Sequence, residues 1–177
     1  MESLQVKRCL EIGAGDNPQK GSSWIHQDIR PLSGIEMVCD AEKIPVKDEI
    51  FVEVFSSHVI EHFGWRKVRP VLVEWVRILE KGGRLEIITP DFYNLWKNLI
   101  DKRAFPGEKR FKDGVIDSAF VAYVTGGGQD YPENTHKAHY TYDWYEQTLK
   151  ELGCDVEIRF HGRDAPSPSI RIIAIKK

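Results

Sequence analysis

Apolar positions along the chain fall into short runs that alternate with longer, helix-periodic ones. The short runs read as strands at Val6–Ile12, Trp24–Asp28, Met37–Asp40, Phe51–Ser57 and Arg84–Thr89, with two more at Cys154–Phe160 and Ser169–Ile175. A helix is predicted over about Lys67–Glu80. There Val68, Leu72, Val76 and Leu79 share a face, Pro70 sits in the first turn, and Gly82–Gly83 stop it. A second helix starts at Asp91 with Phe92, Leu95, Trp96 and Leu99 as its stripe. A third covers about Asp143–Leu152, with Thr141 as cap and Gly153 as stop. Such alternation specifies an α/β domain. The front half is pared down: only eight residues separate Gly15 from Trp24, and seven separate Asp28 from Glu36. A parallel crossover normally takes about a dozen residues or more, usually with a helix. The first connections are therefore predicted to be turns or single helical turns.

With 177 residues the chain fits one domain, residues 1–177, and its 41% hydrophobic content supplies a core. The formal net charge of -2 argues against a dedicated nucleic-acid binder. No apolar run approaches the roughly 18–20 residues that cross a bilayer, so no membrane association is expected. The start lacks an apolar stretch with a small-residue cleavage site, so no signal peptide is expected either. Cys9, Cys39 and Cys154 are odd in number and scattered, which suits a disulfide-free cytoplasmic protein. The segment 101–140 stands apart, with Pro106, Gly126–Gly128, Pro132 and many polar residues. It reads as a substrate-side insertion or lid, with a short helix expected at Gly114–Val124. Its part Asp101–Gly114 holds five basic residues against three acidic ones, which would draw an anionic acceptor if it does more than solvate a loop. Tyr123, Tyr131, Tyr140, Tyr142 and Trp144 are candidates to stack on a ring.

The chemistry begins at LEIGAGDNP, Leu10 to Pro18. Gly13 and Gly15 follow an apolar strand and let the backbone approach a ligand. The third glycine of the dinucleotide fingerprint is missing, since Pro18 holds that spacing, which counts against a pyrophosphate. Glu11, Asp28 and Asp40 then mark three successive strand ends. A carboxylate beside a glycine loop suits ribose hydroxyls, and Asp40 followed by the small Ala41 suits an adenine amino group. Such strand-end carboxylates are expected to be solvated when no ligand is present, so Asp28 should matter little for stability.

The series LEIGAG, Asp28, DAEKIP, FSSHVIEHF and VRILEKGGRLEIITPD resembles the class I S-adenosylmethionine-dependent methyltransferases, most of all small bacterial ones. The likeness spans about Val6 to Asp91, with an echo in HKAHYTYDWYEQTLKELG. It implies a three-layer Rossmann-like fold whose mostly parallel seven-stranded sheet has an antiparallel last strand, here with shortened first helices. It also implies S-adenosylmethionine as cofactor, bound by Glu11, Gly13, Ala14, Gly15, Asn17, Asp28, Ile29, Asp40, Ala41 and Ser57. By the same likeness Gly13 and Gly15 pass under the methionine part, Asp28 holds the ribose, Asp40 and Ala41 flank the adenine, and Ser57 and His58 face the methyl. Two residues depart from the pattern: Asn17 replaces a common third glycine, and Val52 stands where an aspartate usually opens strand four.

Methyl transfer is an in-line displacement, so positioning supplies most of the catalysis, and a hydroxyl acceptor adds the need for a base. His58, Asp91, His136 and His139 are the candidates for that base. The amino-methylating signature would follow strand four, where SSHV stands, so a small-molecule or glycan-type acceptor methylated at oxygen is favoured. Two rivals remain. His58-Val-Ile-Glu61-His62 has the inverted zinc-peptidase spacing, which would suit a zinc hydrolase, although no metal is expected here. The other rival is an inactive module that kept the cofactor fold.

Overall fold

In a computed structural model the protein is described over residues 8–100, 111–112, 115–116, 135–161 and 169–177. In chain order the elements are β1 (Cys9–Ile12), β2 (Ile25–Asp28), β3 (Met37–Val38), β4 (Phe51–Ser57), a 3-10 turn at Ile60–His62, and α1 (Val68–Ile78). There follow β5 (Leu79–Pro90), α2 (Phe92–Ile100), β6 (Phe111–Lys112), β7 (Val115–Ile116), α3 (Tyr142–Glu151), β8 (Cys154–His161) and β9 (Ser169–Lys176). Seven strands form one sheet in the order β3-β2-β1-β4-β5-β9-β8. The pairs from β3 to β5 are parallel, and β9 runs antiparallel to both neighbours. The expected seven-stranded sheet with an antiparallel last strand is present.

Some details differ from the sequence reading. The first helix ends at Ile78, and Leu79 turns to extended backbone and opens β5. Gly82–Gly83 therefore lie inside the strand, at a register shift against β4. A side chain at Gly83 would meet the Glu80 carbonyl at 2.8 Å, so this irregularity needs glycine. Thr141 stands at the N-cap of α3 in extended conformation but makes no side-chain cap bond. Val115–Ile116 pairs as a strand with Phe111–Lys112, where a helix was expected. Of segment 101–140, residues 101–110, 113–114 and 117–134 lie outside the described residues, as do Gly126–Gly128, Tyr123, Tyr131 and most of the basic stretch.

The core lies on one face of the sheet. Leu10, Ile12, Val54, Leu85, Ile87, Ile172 and Ala174 point there, against Val68, Val71, Leu72 and Trp75 of α1 and Tyr145 and Leu149 of α3. Side chains of this size stabilise by about 1.5–3 kcal/mol each when fully buried. The Trp75 indole N–H is satisfied by the Ala41 carbonyl at 3.0 Å.

The front connections contain no helix anywhere in 13–50, so their shortening is complete. Side chains take the place of helical packing. Arg77 donates to the carbonyls of Val46 and Ile44 and pairs with Asp48 and Glu74, which pins the β3–β4 connection to α1. On the opposite face of the sheet the loop after β1 forms the covering layer. Lys20 Nζ lies 3.9 Å from the Phe55 ring centroid, and Trp24 meets Phe55 edge-on. Further along that face Glu53, Arg84, Glu86 and Arg171 form an alternating ion-pair ladder across β4, β5 and β9. Alternating charges on neighbouring positions of the sheet neutralise one another on this face.

Candidate active site

The parallel strands deliver their loops to one edge of the sheet, and the candidate residues collect there. Gly13 and Gly15 both take left-handed backbone, φ 67° and 64°. At Gly13 the reason is local crowding: an added Cβ would lie 2.3 Å from the Val59 side chain. At Gly15 it would meet only the Arg30 guanidinium, at 3.7 Å, so the loop stays open where a ligand would approach. The turn is held from β2. Gly13 N–H donates to the Gln27 Oε1 at 3.1 Å, and Ala14 N–H to the Gln27 carbonyl at 2.9 Å. Gln27 is buried and donates in turn to the Cys39 carbonyl, so one amide ties three strand ends together. Sequence reasoning missed it, although an amide at a core-facing position of a four-residue strand was the available signal.

Glu11 lies under the loop. Its carboxylate accepts the N–H groups of Gln19 and Lys20 at 2.8 and 3.1 Å and pairs with His26 Nδ1 at 2.9 Å. Both oxygens are engaged, so Glu11 shapes the loop from beneath. Asn17 is exposed on that loop.

Asp28, expected to be solvated, is buried. One oxygen accepts the Gly15 N–H at 2.9 Å, and the other accepts the Arg30 N–H at 2.9 Å and its Nε–H at 3.1 Å. Burial pushes the carboxyl up, but the Arg30 hydrogen bonds, the Gly15 N–H and the Arg30 charge outweigh it and hold Asp28 below the usual carboxylate range. Beside it Ile29 is 57% exposed, an apolar surface at the strand end. Asp40 is exposed and accepts the Glu42 N–H at 2.9 Å, while Ala41 is buried. These features fit a nucleoside-bearing cofactor, with an open glycine turn, an ionised carboxylate and an apolar flank at adjacent strand ends.

Asp28→Ala is therefore expected to do two things. It should weaken binding of the demethylated cofactor by about 1.5–3 kcal/mol, the scale of charge-assisted hydrogen bonds, and it should lower the melting temperature. Calorimetry and thermal melts check both. The stability supplied by the ionised Asp28 is present above the ordinary carboxylate range and is lost as pH falls through its depressed folded value. The stability gap between wild type and Asp28→Asn should accordingly shrink in acid.

At the end of β4, Ser57 is half-buried and His58 takes left-handed backbone, φ 56°, with its N–H donating to the Ile88 carbonyl at 2.8 Å. A non-glycine residue at positive φ marks a position held by its surroundings. The His58 side chain is 41% exposed, and its Nδ1 lies 3.2 Å from Glu61 Oε1. Glu61 is wholly buried. Burial pushes its carboxyl up, yet the His58 hydrogen bond and the charges of His58 and His62 bring it below the usual range. Thr89 Oγ1 donates to its other oxygen at 3.3 Å, and His136 Nε2 lies 3.9 Å away. The Glu61 backbone carbonyl accepts the N–H groups of Lys137 and Ala138, which docks the 135–140 stretch onto this turn.

The four proposed bases thus part company. His58 and His136 converge on Glu61. His139 is exposed and stacks on Phe92 at 3.9 Å, and the Phe92 ring meets His136 edge-on at 5.7 Å. Asp91 is buried and accepts from Asn94 N–H at 3.1 Å and from its side-chain amide, so its carboxylate caps α2. The zinc-peptidase spacing fails on geometry. It needs His58 and His62 one turn apart on an α-helix, but only Ile60–His62 is helical, as a single 3-10 turn.

Residues 10–87 match the family model for the methyltransferase domain. Over that span the chain is similar to a methyltransferase domain. Among solved structures, the fold is similar to an S-adenosylmethionine-dependent methyltransferase from Archaeoglobus fulgidus. That match has 17% identity and a TM-score of 0.64, covering 96% of this chain and 86% of that one. It is also similar to one from Methanosarcina mazei, at 17% identity and TM-score 0.60, covering 95% and 91%. A third likeness is to phosphoethanolamine N-methyltransferase 2 of Haemonchus contortus in complex with S-adenosyl-L-methionine. There the identity is 14% and the TM-score 0.59, over 96% of this chain and 48% of that one. No curated protein matches the chain in sequence. The glycine turn, Asp28 and the end of β4 all lie within the matched span. No described helix is long and apolar enough to cross a membrane.

Proposed function

We propose that this chain is an S-adenosylmethionine-dependent methyltransferase that acts in the cytoplasm and methylates an oxygen of a small-molecule or glycan-type acceptor. The pairing of His58 with the buried Glu61 at the end of β4 carries this reading. Bound S-adenosylmethionine supplies an electrophilic methyl on a sulfonium. The backbone of Gly13–Gly15 with Asn17 borders its methionine part, and Asp28 takes the ribose hydroxyls in place of the Arg30 side chain. Ile29, Asp40 and Ala41 flank the adenine, while Ser57 and His58 face the methyl. His58 receives the acceptor hydroxyl proton at Nε2, the nitrogen left over by the Glu61 contact. Glu61 fixes the ring through Nδ1 and offsets the charge the imidazole gains, as an orienting carboxylate does for a catalytic histidine. His139 and Tyr140, with Phe92, Tyr93 and Trp96, line a cavity of about 440 Å³, and Phe92 of this lining meets His136 beside Glu61, which suits the acceptor side.

Transfer of labelled methyl across a panel of hydroxylated small molecules and sugars tests the proposal. Label is expected on an acceptor oxygen. Label recovered only on amines would overturn the oxygen assignment while leaving the cofactor site standing.

A further inference from the structure

We infer that Glu61, His62 and His136 form a binding site for one divalent transition-metal ion, of the zinc class, on the acceptor side of the sheet edge. One donor atom from each of the three lies within 4.8 Å of the others. Two imidazoles and a carboxylate are a donor set that such ions take in open sites with further ligands supplied from outside the protein.

Three observations support the site beyond proximity. The donors come from two separate segments, the turn after β4 and the 135–140 stretch, and backbone bonds from Lys137 and Ala138 to the Glu61 carbonyl lock these segments together. The donor cluster is therefore built into the fold and is not a chance meeting of mobile surface side chains. His62 Nδ1 lies 3.2 Å from the Thr135 carbonyl, an outer contact that holds the ring and leaves Nε2 to the ion; metal-bound histidines are oriented in this way. Finally, Glu61 is wholly buried, and among the described residues its ion-pair partners are His58 and His136, with no lysine or arginine. A buried carboxylate needs a compensating charge, and a divalent ion between it and two imidazoles supplies one.

The site differs from the zinc-peptidase spacing in the sequence, because His136 takes the place of His58. It does not depend on which acceptor is methylated, nor on methyl transfer itself. Full-length protein stripped with chelator and titrated with Zn²⁺ by calorimetry should bind one ion saturably. His62→Ala and His136→Ala should each weaken that binding by about 100-fold or more, beyond the roughly 10–100-fold that outer contacts are worth. His58→Ala removes only an outer contact of Glu61 and should weaken it less than either, by about 10–100-fold at most. Binding that survives in the His62→Ala/His136→Ala double variant would overturn the site, as would loss in His58→Ala with retention in His136→Ala. If an alanine variant fails to fold, Co²⁺ titrated into the wild-type protein decides. Intense visible bands of a low-coordinate nitrogen–oxygen site are expected, and the weak spectrum of aqueous Co²⁺ would refute the proposal.

Discussion

His58→Asn is expected to lower methyl-transfer turnover by about 10²–10⁴-fold, the usual worth of a positioned general base, with cofactor affinity held within a few-fold. Asparagine is the informative replacement because His58 sits at φ 56°, a conformation that asparagine adopts more readily than alanine does. The variant keeps the turn and removes the base. Glu61 acts on the acceptor only through His58, so Glu61→Gln should lower turnover less than His58→Asn does. In the double variant the Glu61 change should cost nothing further. Single-turnover transfer of labelled methyl, with cofactor affinity measured on the same samples, separates these effects. Full turnover in His58→Asn would remove His58 from the chemistry and leave positioning alone.

Gly13→Ala should be the most damaging single change in the glycine turn, costing about 2–5 kcal/mol. Left-handed backbone contributes about 1–2 kcal/mol of this, and overlap with Val59, 2.3 Å from the new Cβ, contributes about 1–3. Gly15→Ala carries the same backbone strain without the overlap, since its nearest neighbour is 3.7 Å away, so it should cost only about 1–2 kcal/mol. Val59→Ala should recover the overlap part in Gly13→Ala and nothing in Gly15→Ala. Denaturant unfolding of the three single and two double variants reads that coupling directly. Equal losses at the two glycines would mean that Val59 does not press on Gly13.

The elements legible in the sequence were those written in local pattern. The strand runs, the α1 face and the stop at Gly153, which takes φ 84°, all follow from apolar spacing and glycine chemistry. The acidic strand ends were legible too, but their environments were not. Asp28 looked like a solvated carboxylate because no local rule announces that Arg30 folds back over it. Glu11 looked like a ligand contact, yet two backbone N–H groups eight and nine residues downstream engage it. The convergence of His136 on Glu61 spans 75 positions of chain and depends on how the 135–140 stretch docks, which periodicity does not encode. His58 and His62 misled for the opposite reason: their spacing is helical, but the backbone there is a strand end followed by one 3-10 turn.

The account rests on a cofactor site at the ends of β1, β2 and β3, and calorimetry with S-adenosylhomocysteine on the folded protein tests it most directly. One equivalent should bind, more weakly in Asp28→Ala by about 1.5–3 kcal/mol. NAD should bind far more weakly, because Pro18 and the helix-free β1–β2 connection leave its pyrophosphate no helix N-terminus. Folded protein that gives no heat with S-adenosylhomocysteine or S-adenosylmethionine, or that prefers NAD, would contradict the account.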